Sequence, residues 1–127
     1  MAIDIKINQH NDYLEFVVTG SYDLNEAVEK FTHILNSCKF AELSKALIDV
    51  RELQGHGGGV EKSLYGIGVE NLYIEYLKSG GHELQIAYLR PVTDYEPGMI
   101  IAERSGYQFK LFDKLSEALE WLNVSSK

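Results

Sequence analysis

The sequence is poor in cysteine, proline and basic residues, and it has no long apolar run. Its single cysteine, Cys38, excludes an internal disulfide. Since no apolar stretch approaches the ~18 residues of a membrane-spanning helix, we expect no integral membrane segment. Only 12 Lys and Arg stand against 19 Asp and Glu, and the net charge of −7 argues against nucleic acid as a partner.

The composition that remains is typical of one compact domain over residues 1–127. A chain of 127 residues with 45% apolar composition can form a core without disulfides or metal. We expect no secretory segment at the start of the sequence. Together with the unpaired thiol, this predicts a cytoplasmic protein.

Hydrophobic periodicity predicts a hairpin followed by a long helix. Isoleucines alternate with polar residues from Ile3 to Ile7, and a second alternating run spans 14–18, so both are predicted strands. From Leu24 to Cys38 apolar residues recur every three or four positions, which is typical of one helix face. Asp23 and Glu26 form a capping-box pattern at its start.

Strands and helices then alternate to the end of the chain. The apolar run Ala46–Val50 predicts a central parallel strand covered on both faces. The later predicted elements are a glycine-rich loop 51–59, a helix 60–78, a strand 84–89, a short helix 98–105, a strand 109–112 and a helix capped by Asp113. The order ββαβαβαβα predicts an α/β fold, with covering helices on a mostly parallel mixed sheet of about five strands.

Several segments in this order resemble the SpoIIAA-like proteins, bacterial relatives of the STAS domain of sulfate transporters and anti-sigma-factor antagonists. The likeness covers nearly the whole chain, with a looser similarity to CRAL-TRIO lipid-binding domains. It rests on Tyr13-Leu14 in the hairpin, the helix from Leu24, the strand segment 47–51, and Phe112-Asp113 followed by the segment 117–122.

The resemblance implies a non-enzymatic regulatory or binding module that acts through protein–protein contact. In true antagonists, a Ser or Thr at the start of the helix after the third strand is phosphorylated by a partner kinase. The equivalent stretch here, 54–59, has no hydroxyl residue, and Ser63 lies a turn inside the helix. We therefore assign no phosphorylation site.

The carboxyl edge of the predicted sheet is the candidate ligand site, because open α/β sheets bind ligands where parallel strands end. Glycines before a helix start let backbone N–H groups approach an anion, and nearby cationic side chains add charge. The alternative is a loop satisfied by water, with no ligand. A carrier of a small apolar or anionic, lipid-like molecule would use the candidate residues Arg51, His56, Gly57, Gly58, Gly59 and Arg90.

The second predicted helix has apolar residues on more than one face, although a helix that covers a sheet needs only one apolar stripe. The surplus predicts a homodimer or partner interface, or the wall of an apolar cavity. The alternative is that a neighbouring helix of the same domain buries it. The candidate interface residues are Tyr65, Val69, Leu72, Tyr73 and Tyr76.

Catalysis, cofactors and metals have little support in the sequence. The four histidines are spread along the chain without metal-site spacing, so we predict neither a metal nor a cofactor. Cys38 ends an apolar stripe and is interpreted as a buried, inert thiol. Asp49 is interpreted either as a poised acid or base, or as a structural acceptor for loop N–H groups. We favour the second role and expect a protein that is not an enzyme.

Overall fold

The computed structural model describes residues 3–55, 59–89 and 108–124 of the chain. The strands are β1 (Ile3–Gln9), β2 (Leu14–Ser21), β3 (Lys45–Gln54), β4 (Gln85–Leu89) and β5 (Gln108–Phe112). The helices are α1 (Leu24–Ala41), α2 (Gly59–Lys78) and α3 (Leu115–Leu122). The short helix predicted over 98–105 lies outside the described residues.

The five strands form one sheet in the order β1-β2-β3-β4-β5. The hairpin partners β1 and β2 are antiparallel, whereas β2, β3, β4 and β5 are parallel neighbours. The predicted mixed, mostly parallel α/β fold is confirmed. Because β2, β3 and β4 run in the same direction, their carboxyl ends at Ser21, Gln54 and Leu89 lie along one edge.

Helix α1 begins at the predicted cap, where the Asp23 side chain accepts a hydrogen bond from the Glu26 N–H at 2.9 Å. It ends three residues later than predicted, at Ala41. Glu42 takes the left-handed conformation with φ 58° and donates its N–H to the Lys39 carbonyl at 3.2 Å. Ala41 lies three residues after Cys38 and packs against the same core, so the predicted helix was one turn too short.

Both faces of the sheet are covered, and each helix layer has its own core. Helices α1 and α2 cover one face, where residues such as Phe31 and Tyr73 pack against Phe16 and Ile86. Helix α3 covers part of the other face. It packs Ala118, Leu119 and Leu122 against Leu47, Ala87 and Leu89.

Two details of the helices concern the cap of α3 and the packing of α2 on α1. Lys114, not Asp113 as predicted, is the N-terminal cap of α3, and its side chain makes no capping hydrogen bond. Gly68 is a close-packing position, because a β-carbon there would stand 3.0 Å from a methyl group of Val28 in α1. Among the described helices, none is long and apolar enough to cross a bilayer.

Strand β3 continues four residues beyond its predicted end and contains a bulge, after which its pairing with β2 resumes. Val17 of β2 pairs with Asp49, but Thr19, two residues on, pairs with Glu52, three residues on. The extra residue reverses the alternation of β3, so Val50 and Leu53 both pack on the α1–α2 side. The stretch 51–54, predicted as loop, is therefore strand.

Candidate functional site

The carboxyl edge of the sheet, where the site was predicted, is described at the ends of β2 and β3 and at the start of α2. Strands β2 and β3 stay paired to their last residues, and the Tyr22 N–H donates to the Gln54 carbonyl at 2.9 Å. Gly55 then turns the chain with φ 76°, and α2 begins at Gly59. The backbone of Gly59 is thus at a helix start, as predicted.

Four of the six predicted ligand residues lie outside the described residues: His56, Gly57, Gly58 and Arg90. Their grouping into a binding site therefore stays a prediction. The same holds for the alternative function as a carrier of a small apolar or anionic ligand.

Arg51 is described, and its guanidinium is engaged by Asp49. Arg51 Nε and Nη2 donate to the two Asp49 carboxylate oxygens at 3.0 and 2.9 Å. The Arg51 side chain is 47% exposed and that of Asp49 only 12%. The hydrogen bond and the negative charge of Asp49 raise the pKa of Arg51 above its ordinary value. An anion would have to compete with this carboxylate.

The same carboxylate stabilises the bulge. At a bulge one residue loses its ladder partner, and Asp49 Oδ1 accepts the backbone N–H of Arg51 at 3.1 Å. The structural role that we favoured for Asp49 is present. The donor, however, is a strand residue two positions on, where we had predicted loop N–H groups.

Below the carboxyl edge, two tyrosine hydroxyls join α2 to β4. Tyr65 Oη and Tyr88 Oη lie 2.8 Å apart, and the Phe109 ring packs edge-on against Tyr88. Burial, then the neighbouring Tyr88 hydroxyl, raise the pKa of Tyr65 well above its ordinary value. Tyr65 therefore stays protonated at physiological pH, and its hydroxyl links α2 to Tyr88 of β4.

The five predicted interface residues form the core side of α2. Val69, Tyr73 and Tyr76 are buried, and Tyr65 and Leu72 are half-buried against the same core. This corrects the predicted interface. The positions 65, 69, 72, 73 and 76 follow the spacing of a single core-facing stripe.

A different set of α2 side chains faces outward. Four large apolar residues there are between 36% and 48% exposed: Leu64, Ile67, Ile74 and Leu77. We define these four residues as the α2 outer stripe. The periodicity contained the signal for it, since Leu64, Ile67 and Ile74 are offset from the core stripe.

A polar group lies at the opposite edge, in the β1–β2 hairpin. His10 Nε2 contacts Glu15 Oε1 at 3.0 Å, and the His10 ring stacks on Tyr13 with centroids 4.3 Å apart. Burial, then the Glu15 carboxylate, raise the pKa of Tyr13. Within the described ranges no three His, Cys, Asp or Glu side chains are placed to hold a metal ion.

Comparison with known proteins finds structural relatives only. No family model and no curated protein matches the chain. An anti-sigma factor antagonist from Mycobacterium paratuberculosis is 14% identical with a TM-score of 0.59, over 95% of this chain and 94% of that one. The chain has the SpoIIAA-like fold.

Two further solved structures with the SpoIIAA-like fold match over nearly their full lengths. An uncharacterised protein with this fold from Shewanella loihica is 26% identical with a TM-score of 0.54, over 95% of this chain and 93% of that one. The anti-sigma factor antagonist SpoIIAA in its unphosphorylated form is 12% identical with a TM-score of 0.52, over 97% of this chain and all of its own. The predicted resemblance in fold is confirmed.

Proposed function

We propose that this protein is a regulatory module that acts by binding another protein and not by catalysis. The observation that carries the proposal is the α2 outer stripe. Ile67 is 41% exposed and Ile74 is 37% exposed, although the opposite side of the same helix is already packed in the core. A helix presenting apolar side chains outward favours a contact with a second protein surface.

The fold supports the same function. Two of the solved structures with this fold are anti-sigma factor antagonists, a name that describes action against another protein. The net charge of −7 favours a partner whose apolar centre is surrounded by basic residues. We place this activity in the cytoplasm, because the single thiol of Cys38 is unpaired, as is usual in a reducing compartment.

Cys38 and Asp49, the two side chains considered for catalysis, are both held in structural roles. Cys38 is fully buried, and burial raises the pKa of its thiol to about 12, so the nucleophilic thiolate does not form near neutral pH. Asp49 is held by Arg51 through both carboxylate oxygens. These arrangements support binding over catalysis as the function.

The test compares Ile67→Asp and Ile74→Asp with the wild-type chain. The wild-type chain and each variant are used as bait in the source organism's lysate. The captured protein is then purified, and its affinity for each of the three chains is measured by calorimetry. We expect the two variants to lower the affinity at least about tenfold, as losses at the centre of an interface do. Melting curves confirm that the variants are folded.

Phe40 provides the matched control, because it is apolar, 92% exposed and lies on α1 outside the α2 outer stripe. We expect Phe40→Asp to bind as the wild type does. A partner that binds wild type, Ile67→Asp and Ile74→Asp equally would overturn the assignment to α2. Capture of no protein, with conversion of a small substrate by the pure chain, would overturn the function.

A further inference from the structure

Strand β1 lies at the edge of the sheet, and the hydrogen bonds of the β1–β2 hairpin show which of its backbone groups point away from β2. Of the described strands, only β2 pairs with β1. The His10 N–H donates to the Tyr13 carbonyl at 2.9 Å, so His10 and Tyr13 are a hydrogen-bonded pair. In an antiparallel ladder such pairs alternate, so Lys6 and Asp4 bond inward to β2. The backbone groups of Ile3, Ile5 and Ile7 therefore point outward.

The outward N–H of Ile3 already has a partner. Glu26 of α1 reaches around the edge, and its Oε2 accepts this N–H at 3.1 Å. This contact independently confirms which residues point outward. Ile5 and Ile7 keep outward N–H and carbonyl groups in the described part of the chain. Unpaired groups of this kind are a template for another strand.

The side chains of β1 make the strand complementary to a second copy of itself. Ile7 is 39% exposed and Ile5 is half-buried, and both lie on the α1 side of the sheet, whereas Asp4 and Lys6 are exposed on the other side. The residues before and after Ile5 therefore carry opposite charges, and both of their side chains lie on the face opposite to that of Ile5. An antiparallel copy centred on Ile5 brings Asp4 opposite Lys6 of the second copy.

We propose that β1 pairs antiparallel with β1 of a second copy of this chain, with Ile5 opposite Ile5 on the two-fold axis. In this register Ile3 lies opposite Ile7 of the other copy, so apolar side chains meet on one face. Two Asp4–Lys6 pairs form on the opposite face. The two sheets join into one sheet of ten strands.

Charge favours this register over the one centred on Lys6. A pairing centred on Lys6 places the two lysines directly opposite each other, which is destabilising. In the register centred on Ile5, the charged residues occupy non-hydrogen-bonded positions, where opposed side chains are closest. Outward donors of Ile5 and Ile7 bond across the axis, whereas Glu26 retains the N–H of Ile3.

The test is sedimentation equilibrium of the full chain over a concentration series, with charge variants. We expect a monomer–dimer equilibrium in the wild type. Lys6→Asp places an acidic residue opposite Asp4 of the other copy in both cross-strand pairs, and we expect it to raise the dissociation constant roughly tenfold. The double variant Asp4→Lys/Lys6→Asp restores the opposite charges in this register only, and we expect it to recover the wild-type constant.

Two controls separate β1 from other interfaces. Lys78→Asp changes net charge equally at an exposed position of α2, where its contact with Glu75 at 4.0 Å contributes little, and we expect no effect on the dimer. Ile7→Pro removes an outward donor that the monomer does not use, and we expect it to be monomeric.

Other outcomes overturn the proposal. A wild-type chain that stays monomeric to about 1 mM has no such interface. A dimer that is unaffected by both Lys6→Asp and Ile7→Pro uses another surface. Dissociation of that dimer by Ile67→Asp would identify α2 as the surface. Because the partner-binding test uses variants of α2, the two proposals succeed or fail separately.

Discussion

Tyr73 accepts a hydrogen bond from the Leu84 backbone N–H at 3.0 Å, whereas the buried hydroxyl of Tyr76, three residues further along α2, makes no hydrogen bond of good geometry among the described residues. Tyr73 therefore joins α2 to the residue just before β4. Its neighbour leaves an unsatisfied polar atom in the core. The two tyrosines pack on the same core but differ in what their hydroxyl groups contribute.

We expect Tyr73→Phe to lower the free energy of unfolding by about 1–2 kcal/mol, because it leaves the Leu84 N–H buried without an acceptor. Tyr76→Phe removes an unpartnered hydroxyl, so we expect a change within about 0.5 kcal/mol or a gain. Urea unfolding of both variants measures the difference. A greater loss for Tyr76→Phe than for Tyr73→Phe would contradict the assignment.

Gly81 is required by the position of the Tyr76 ring. A β-carbon at Gly81 would stand 2.4 to 2.5 Å from three atoms of this buried ring, and the Gly81 N–H is held by the Tyr76 carbonyl at 2.8 Å. We expect Gly81→Ala to destabilise the protein by about 2 kcal/mol, because neither the ring nor the backbone can move freely. Thermal and urea unfolding measure the loss.

The background of Tyr76→Leu provides the control for Gly81→Ala. Leucine lacks the outer ring carbons, and its methyl groups can rotate away from position 81. We expect the cost of Gly81→Ala to be smaller in this background than in the wild type. Equal costs in both backgrounds would mean that the ring is not the cause.

Asp49 stabilises the bulge of β3 by accepting the Arg51 N–H and by its ion pair with the Arg51 guanidinium. Two substitutions of Asp49 separate these contributions. Asp49→Ala leaves the Arg51 N–H without its acceptor and removes the ion pair, so we expect a loss of about 1–3 kcal/mol. Asp49→Asn keeps a side-chain oxygen for that N–H and should lose less. Urea unfolding ranks the two variants. An unchanged midpoint for Asp49→Ala would contradict the stabilising role.

The sequence predicts an element of this fold well where a single hydrophobic periodicity runs through the whole element. Helix α1 is amphipathic and has a side-chain cap at Asp23, so local and tertiary preferences agree. Strand β3 was predicted too short because its apolar run ends at Val50, whereas the strand continues through a bulge into the more polar residues 51–54. The bulge depends on the pairing partner Val17, which lies far away in sequence.

The candidate site was less predictable than the fold. The common carboxyl edge follows from strand direction, and the pairing of β2, β3 and β4 confirms it. Arg51 was expected to be available to a ligand, but it lies at the bulge of β3, where its guanidinium reaches the Asp49 carboxylate. Helix α2 has apolar residues on several faces, so its sequence alone does not show which of them are buried. The positions of α1 and the sheet decide this.

Cys38 makes the stability of the protein sensitive to alkaline pH. Burial raises the pKa of its thiol from the ordinary 9.0 to about 12. Between these values the unfolded chain releases a proton that the folded chain retains, so the free energy of unfolding decreases as pH rises. The decrease approaches about 1.4 kcal/mol per pH unit for this group and is absent well below pH 9.

Cys38→Ala isolates this contribution, because buried tyrosines with raised pKa values, among them Tyr65 and Tyr73, remain in both proteins. The variant is less stable at neutral pH, since a cavity replaces a fully buried side chain. We expect its stability to fall less steeply than that of the wild type between pH 9 and pH 10.5, as measured by urea unfolding at each pH. Parallel pH profiles for the two proteins would show that the folded thiol ionises as readily as the unfolded one.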